Sequence, residues 1–165
     1  MIRTGGGYEA GAHPGAAAPC GSFPTLVSVT WTFSPDPSRI DRGLVHGWLS
    51  EQAYWALGRT RAMQDAAIDA SRNYGVYDDA GRQVAYARVV TDSTTFAWLC
   101  DVFVDPAVRG RGAGKVLVAG VLGELDALGL PRTMLATADA HGLYERHGFT
   151  QADPERFMVR AVVKS

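Results

Sequence analysis

The sequence predicts a mixed α/β domain around a mostly antiparallel sheet, on three observations. In its middle, NYGVYD (73–78) and RQVAYARVV (82–90) are β-branched and aromatic runs joined by DAG, a hairpin signal in which Gly81 relieves the turn. A third such run, FAWLCDVFV (96–104), follows through the turn-prone TDSTT, so the strands form a meander and not a strand–helix–strand alternation. Helical apolar patterns flank this meander on both sides.

In chain order, the first two dozen residues are Gly-, Ala- and Pro-rich without periodicity, and 1–24 is expected to be a flexible tail before one domain over 25–165. LVSVTWTF (26–33) reads as a strand closed by SPDPS. Residues 39–49 and then 51–72 are helical in pattern. In the second stretch Ala62, Met63, Ala66, Ala67 and Ala70 make an apolar face, and Ser50 with Glu51 suits a helix start. After the meander, a helix over 112–128 places Val118, Val121, Leu122, Leu125 and Leu128 on one side. RTMLAT (132–137) is a short strand, AHGLYERHG (140–148) a short helix ended by Gly148, and FMVRAVV (157–163) a last strand.

Bulk properties restrict the function. A chain of 165 residues, 47% hydrophobic and 20% charged, suits a single domain with its own core. A net charge of −1 provides no global field for nucleic acid, so recognition must be local. Cys20 and Cys100 are too few for a disulfide framework, and Cys100 lies in an apolar run that suits a buried thiol. No apolar stretch approaches the ~20 residues of a membrane span, and no signal-peptide pattern opens the chain, so the expectation is a cytoplasmic protein. No His/Cys/Glu cluster has metal spacing, and no Ser-His-Asp arrangement is readable.

The stretch VFVDPAVRGRGAGK (102–115) carries the chemistry. A Walker A loop would need glycine at Arg109 and Ser or Thr at Val116; a dinucleotide fingerprint would need glycine at Lys115. Both fail. What stays is a glycine-rich entry to a helix. About four backbone N–H groups are unpaired there, and the macrodipole is worth roughly half a positive charge. Gly110, Gly112 and Gly114 keep side chains away, and Arg109, Arg111 and Lys115 add charge, which suits a pyrophosphate cradle. A solvated basic turn is the other reading, and composition leaves the two open.

Arg109-Gly110-Arg111-Gly112-Ala113-Gly114 resembles the R/Q-x-x-G-x-G/A motif of the GCN5-related N-acetyltransferases, after a Val-Asp-Pro strand end and before a helix. Leu143-Tyr144-Glu145-Arg146-His147-Gly148-Phe149 resembles the second signature of that superfamily, L-Y-x-x-x-G-F, about thirty residues on. SEQAYWALGRTR and the run from Gly81 to Val104 look like an uncharacterised bacterial branch of it. The resemblance implies a mixed, mostly antiparallel sheet with helices on both faces, splayed at the cofactor site, and acetyl-CoA as donor. It implies that Val102, Phe103 and Val104 offer backbone groups to the pantetheine arm and that residues 109–115, Ala113 included, hold the pyrophosphate. Thr137 stands where many members carry asparagine, seven residues before the tyrosine, at the same arm.

Acetyl transfer to an amine moves two protons. A lysine-like amine with pKa about 10.4 must be neutral to attack, at a cost of roughly 4.6 kcal/mol at pH 7, and the leaving thiolate must be protonated. Tyr144 suits the second task, since a phenol is still protonated at neutral pH, and the resemblance gives this position the same role. Asp101, the one charged residue inside FAWLCDVFV, is either a base whose pKa is raised by burial, acting directly or through water, or a structural partner for an arginine or for backbone donors. His141 and His147 read as exposed helix-end residues, and Asp139 most simply as the cap of that helix, with a contact near the cofactor as the other reading. Tyr54, Trp55 and Trp98 are the candidate acceptor walls, which with an acidic residue would suit a small cationic amine; each of the tryptophans equally suits a core. The expected partner is a small-molecule or peptide amine, with no nucleic acid or membrane, and a homodimer is left open. A non-catalytic acyl-CoA sensor is the alternative, against which an intact Tyr144 argues.

Overall fold

A computed structural model of the chain describes residues 29–160; the tail expected over 1–24 lies outside them. Five strands form one sheet in the order β1-β2-β3-β4-β5, with β1 at Thr32–Ser34, β2 at Arg72–Tyr77, β3 at Gln83–Thr91, β4 at Ala97–Val104 and β5 at Thr133–Leu135. The first three junctions are antiparallel and the last, β4 with β5, is parallel. The meander expected over 73–104 is therefore present, with its turns at Gly81 (φ 77°) and at Asp92, whose carboxylate accepts from the amides of Thr94, Thr95 and Phe96.

Both faces of the sheet are covered, which is why β2 and β3 read as almost unbroken apolar runs. On one face, helix α3 (Ala113–Asp126) buries Leu117, Val118, Val121 and Leu125 against Val76, Ala85, Ala87 and Leu99. On the other, helices α1 (Arg42–Gln52) and α2 (Arg61–Asp69) bury Val45, Trp48, Leu49 and Ile68 against Tyr86 and Phe103. Trp48 stacks on Phe103 with ring centroids 5.4 Å apart. A fourth helix, α4 (His141–Glu145), follows β5, and a turn over 146–148 closes behind it at Gly148 (φ 83°).

Five expectations on the elements need correction. The strand expected over 26–33 appears only as Thr32–Ser34; residues 26–28 lie outside the described part, and 29–31 are not a strand. Helix α1 begins at Arg42, where Asp41 accepts from the amide of Leu44 at 2.9 Å, and continues through Gln52, past the expected boundary at Leu49. No second helix starts at Glu51. The chain turns over 53–60 and restarts after Thr60, whose hydroxyl accepts from the Met63 amide. The buried side of α2 is Gln64 and Ile68, one turn apart, whereas Met63 is 53% exposed; alanines dilute the apolar pattern so far that it pointed to the wrong side. Finally, residues 157–160 of the expected last strand are not paired with the sheet, and 161–163 lie outside the described residues.

One irregularity in β4 positions the site. Tyr86 faces Phe103 and Arg88 faces Cys100, so Asp101 and Val102 together oppose Ala87, and Asp101 takes φ 50°. This β-bulge shifts the alternation: Ala97 and Leu99 before it, and Val102 and Val104 after it, all lie on the α3 side, while Asp101 and Phe103 lie on the α1/α2 side.

Candidate active site

Strands β4 and β5 pair only at Ala97–Thr133, Trp98–Met134 and Leu99–Leu135, and then part. From Cys100 onward, no strand among the described residues lies beside the β5-facing edge of β4. A cavity of about 440 Å³ opens in the gap, between residues 98–102 of β4 and residues 136–140 that lead from β5 into α4. Tyr54 and Trp55, from the turn between α1 and α2, form its outer wall, and Tyr144 of α4 closes one side. Seven of the expected residues thus converge: Tyr54, Trp55, Trp98, Asp101, Val102, Thr137 and Tyr144. Phe103 and Val104 do not line it. Phe103 is buried against Trp48, and the Val104 carbonyl accepts from Arg109 Nε at 3.0 Å.

The glycine loop lies beyond the C-terminal end of β4. Asp105 accepts from the amide of Ala107, which starts a short 3-10 turn over Pro106–Val108. Gly110 (φ 76°) and Gly112 (φ 95°) then take conformations that disfavour any residue with a Cβ. Gly112 is the N-cap of α3 with no side-chain cap, and its carbonyl accepts from the amides of Lys115 and Val116. The amides of Ala113 and Gly114 precede the first amide that donates into the helix, that of Lys115, and stay open to an external acceptor. A Cβ on Gly114 would lie 3.4 Å from Val104 Cγ2, where α3 comes close to β4. Arg109, Arg111 and Lys115 are exposed; Arg109 lies 5.3 Å from the Phe103 ring centre and Arg111 5.8 Å from that of Trp31. Trp31 also donates from its indole nitrogen to the Arg111 carbonyl at 2.8 Å, which braces the loop. In the sequence Trp31 read as one more strand residue, with no local sign of that contact.

Tyr144 is 7% exposed and meets Phe149 edge-on, ring centres 5.8 Å apart. Burial, aided by the negative charge of Asp139, pushes its phenol up to about 12, so it is protonated throughout the neutral range. None of the side-chain hydrogen bonds among the described residues engages its hydroxyl. Asp139 does not cap α4; Thr137 does the nearest thing, its hydroxyl accepting from the Ala140 amide at 3.0 Å, and Asp139 lines the cavity. His141 lies on the far side of Tyr144, in a second hollow of about 380 Å³ bounded by β5, α4 and Phe157.

Asp101 is almost fully buried and doubly paired. Arg59 donates to it from Nη1 at 2.8 Å and from Nη2 at 3.2 Å, and Arg88 from Nε at 2.8 Å. Burial alone would raise its pKa, but the hydrogen bonds and charges of the two guanidiniums outweigh it and hold the carboxyl below the ordinary range. Cys100, which the sequence presented as a plain buried thiol, faces the cavity; burial pushes it up to about 11, so it is an un-ionised thiol at neutral pH. Among the described residues, no group of three or more His, Cys, Asp or Glu could hold a metal ion, and no helix is long and apolar enough to cross a membrane.

Known proteins are similar to this chain in sequence or fold. The chain is 48% identical to a candidate acetyltransferase of Xanthomonas campestris pv. campestris, whose crystal structure superposes with a TM-score of 0.75 over 81% of this chain and 94% of that one. It is 28% identical to the candidate acetyltransferase FG08082 of Gibberella zeae, over 69% of this chain and 75% of that protein. The fold alone is shared with Rv2747 of Mycobacterium tuberculosis, solved in complex with CoA, at a TM-score of 0.59 and 23% identity over 74% and 73% of the two chains. The model of the acetyltransferase (GNAT) family matches residues 35–149, which takes in the parted strands, the glycine loop and Tyr144 together. A chain matched by the family model over that whole stretch belongs to the GNAT family of acetyltransferases.

Proposed function

We propose that the protein transfers the acetyl group of acetyl-CoA directly to a primary amine of a small molecule or peptide, with Tyr144 as the acid for the leaving sulfur. The observation that carries this reading is the single cavity along the unpaired edge of β4, which has Tyr144 at one side and Tyr54, Trp55 and Trp98 around it. The free edge of Cys100–Val102 suits the amide groups of a pantetheine arm, as an added strand would. The open amides of Ala113 and Gly114, with Arg111 and Lys115 nearby, suit the pyrophosphate. Aromatic walls with Asp139 as the carboxylate not already paired suit an amine that arrives as a cation.

In this mechanism the acceptor reaches the cavity, loses one proton to solvent, and attacks the thioester carbon. The N–C bond forms and the C–S bond breaks. Full proton transfer from a phenol held at about 12 to a thiolate whose acid has a pKa near 8.5 runs about 3.5 units uphill. Tyr144 therefore gives the sulfur a hydrogen bond as the bond breaks and keeps its own proton, and the proton that the newly acylated nitrogen sheds ends on the thiolate. Charge and protons balance without a metal or an acyl-enzyme.

Asp101 is, in this reading, an anchor and not the base. What supports it is the pair of guanidiniums on its oxygens, which leave the carboxylate little tendency to take a proton. The amine's own ionisation then sets the rate below its pKa, and kcat/KM should rise about tenfold per pH unit there. A panel of amines assayed for acetyl-CoA-dependent thiol release, followed by mass analysis of the product, tests the proposal. Tight CoA binding with no acetylated product from any amine would refute it.

A further inference from the structure

The turn between α1 and α2 carries two different things. Tyr54 and Trp55 at its start are 57% and 44% exposed and meet mainly each other, edge to face at 4.9 Å. Arg59 at its end is turned inward. Its guanidinium grips both oxygens of Asp101 and also donates to Gln64 Oε1 at 2.9 Å, and its carbonyl lies 3.0 Å from His46 Nε2. Gly58 (φ 71°) closes the turn back on Ser50, and Ala53 and Ala56 are buried beneath it. Asp101, for its part, sits in the bulge at φ 50°, and its neighbours Cys100 and Val102 line the cavity beside it. A non-glycine residue keeps such a backbone angle only where its surroundings enforce it. One ion pair thus joins the aromatic wall of the cavity to the β4 edge opposite.

We propose that Arg59 is a positioning residue for the acceptor: its two-pronged grip on Asp101 fixes the 53–60 turn, and with it Tyr54 and Trp55, at a set distance from the β4 edge. The inference rests on the reading of that cavity as the acceptor site. Neither the glycine loop nor Tyr144 touches Arg59 in any hydrogen bond or ion pair, so the donor side is independent of it. Displacement of a binding wall by about 1 Å can cost up to about 100-fold in a rate that depends on orientation.

The test uses the full chain, acetyl-CoA and the best amine from the panel. Arg59→Lys keeps a charge beside Asp101 but loses the fork. It should raise the acceptor KM about 10-fold or more. The CoA dissociation constant should stay within about twofold, and the pH profile should keep its shape. Trp55→Ala should raise the acceptor KM on its own. The double variant should be no worse than the poorer single one, because the lysine change acts through the wall; independent effects would multiply. Wild-type acceptor KM in a folded Arg59→Lys, or a parallel loss of CoA affinity, overturns the proposal. So does failure of both Arg59→Lys and Arg59→Met to fold, which would give Arg59 a role in the fold itself. If Trp55→Ala leaves the acceptor KM unchanged, the acceptor-cavity reading fails with it; if only Arg59→Lys does, the latch alone fails.

Discussion

Tyr144→Phe separates chemistry from packing because the hydroxyl and the ring have different jobs. The ring, 7% exposed and edge-on to Phe149, stays in place in the variant. The hydroxyl has no hydrogen-bond partner among the side chains of the described residues, so its loss orphans nothing, and the stability change should stay within about 0.5 kcal/mol. On a domain of this size that moves Tm by about 1–2 °C. The kinetic effect should be far larger. A lost acid costs about 10²- to 10⁴-fold, or roughly 2.7–5.4 kcal/mol of barrier at 1.36 per decade. The loss should fall on kcat, because sulfur needs the hydrogen bond only as it departs. Thiol release followed continuously, against acyl donors of differing thiol acidity, is the assay, and the deficit should shrink as the leaving thiol becomes more acidic. Since the phenol titrates only near 12, wild-type activity should show no basic limb from this group up to about pH 10. A phenylalanine variant that matches wild-type kcat, or whose deficit is the same for every leaving group, would refute the assignment.

Other outcomes follow from the same geometry. Gly112→Val should weaken CoA binding at least about 10-fold by calorimetry, because φ 95° strains any side chain by about 1–2 kcal/mol at the cradle itself. Gly114→Ala, whose Cβ would meet Val104 at ordinary contact distance, should be milder. Gly120→Ala should lower stability by about 1–3 kcal/mol in denaturant titrations, since the added methyl would run into the Phe33 ring, itself stacked on Tyr74. Asp101→Asn should flatten acid denaturation. The native carboxyl is held below its unfolded pKa, so its stabilisation is complete above about pH 4 and fades as pH falls through the lowered value; the amide has nothing to lose there.

The sequence made some of this legible and hid the rest for physical reasons. Strands over 73–104 were readable because β-branched and aromatic residues crowd two covered faces of a sheet. The cradle was readable because glycines and basic residues lie next to one another along the chain. Tyr54, Trp55, Trp98 and Tyr144 were each nameable by type, yet their convergence depends on the parting of β4 from β5, which no local pattern encodes. The break at 53–60 was missed even though Gly58 and Thr60 mark it, because the alanine-rich stretch that follows carries a helical period by itself. Arg59 escaped altogether. Its partner is 42 residues away, and an arginine on an expected helix ordinarily reads as solvated.

The extra residue at Asp101 also acts on the gene product like a change of reading frame. Downstream of it, every β4 side chain is assigned to a layer by counting from the bulge and not from the start of the strand. Deleting Asp101 would restore strict alternation and leave Val102 and Val104 on the α3 side and Phe103 against Trp48, at the loss of the carboxylate that Arg59 and Arg88 hold. Inserting a further residue would instead turn Val102 and Val104 away from α3 unless a second bulge absorbed it. The strand can therefore lose its extra residue without a change of layer, but it cannot gain another.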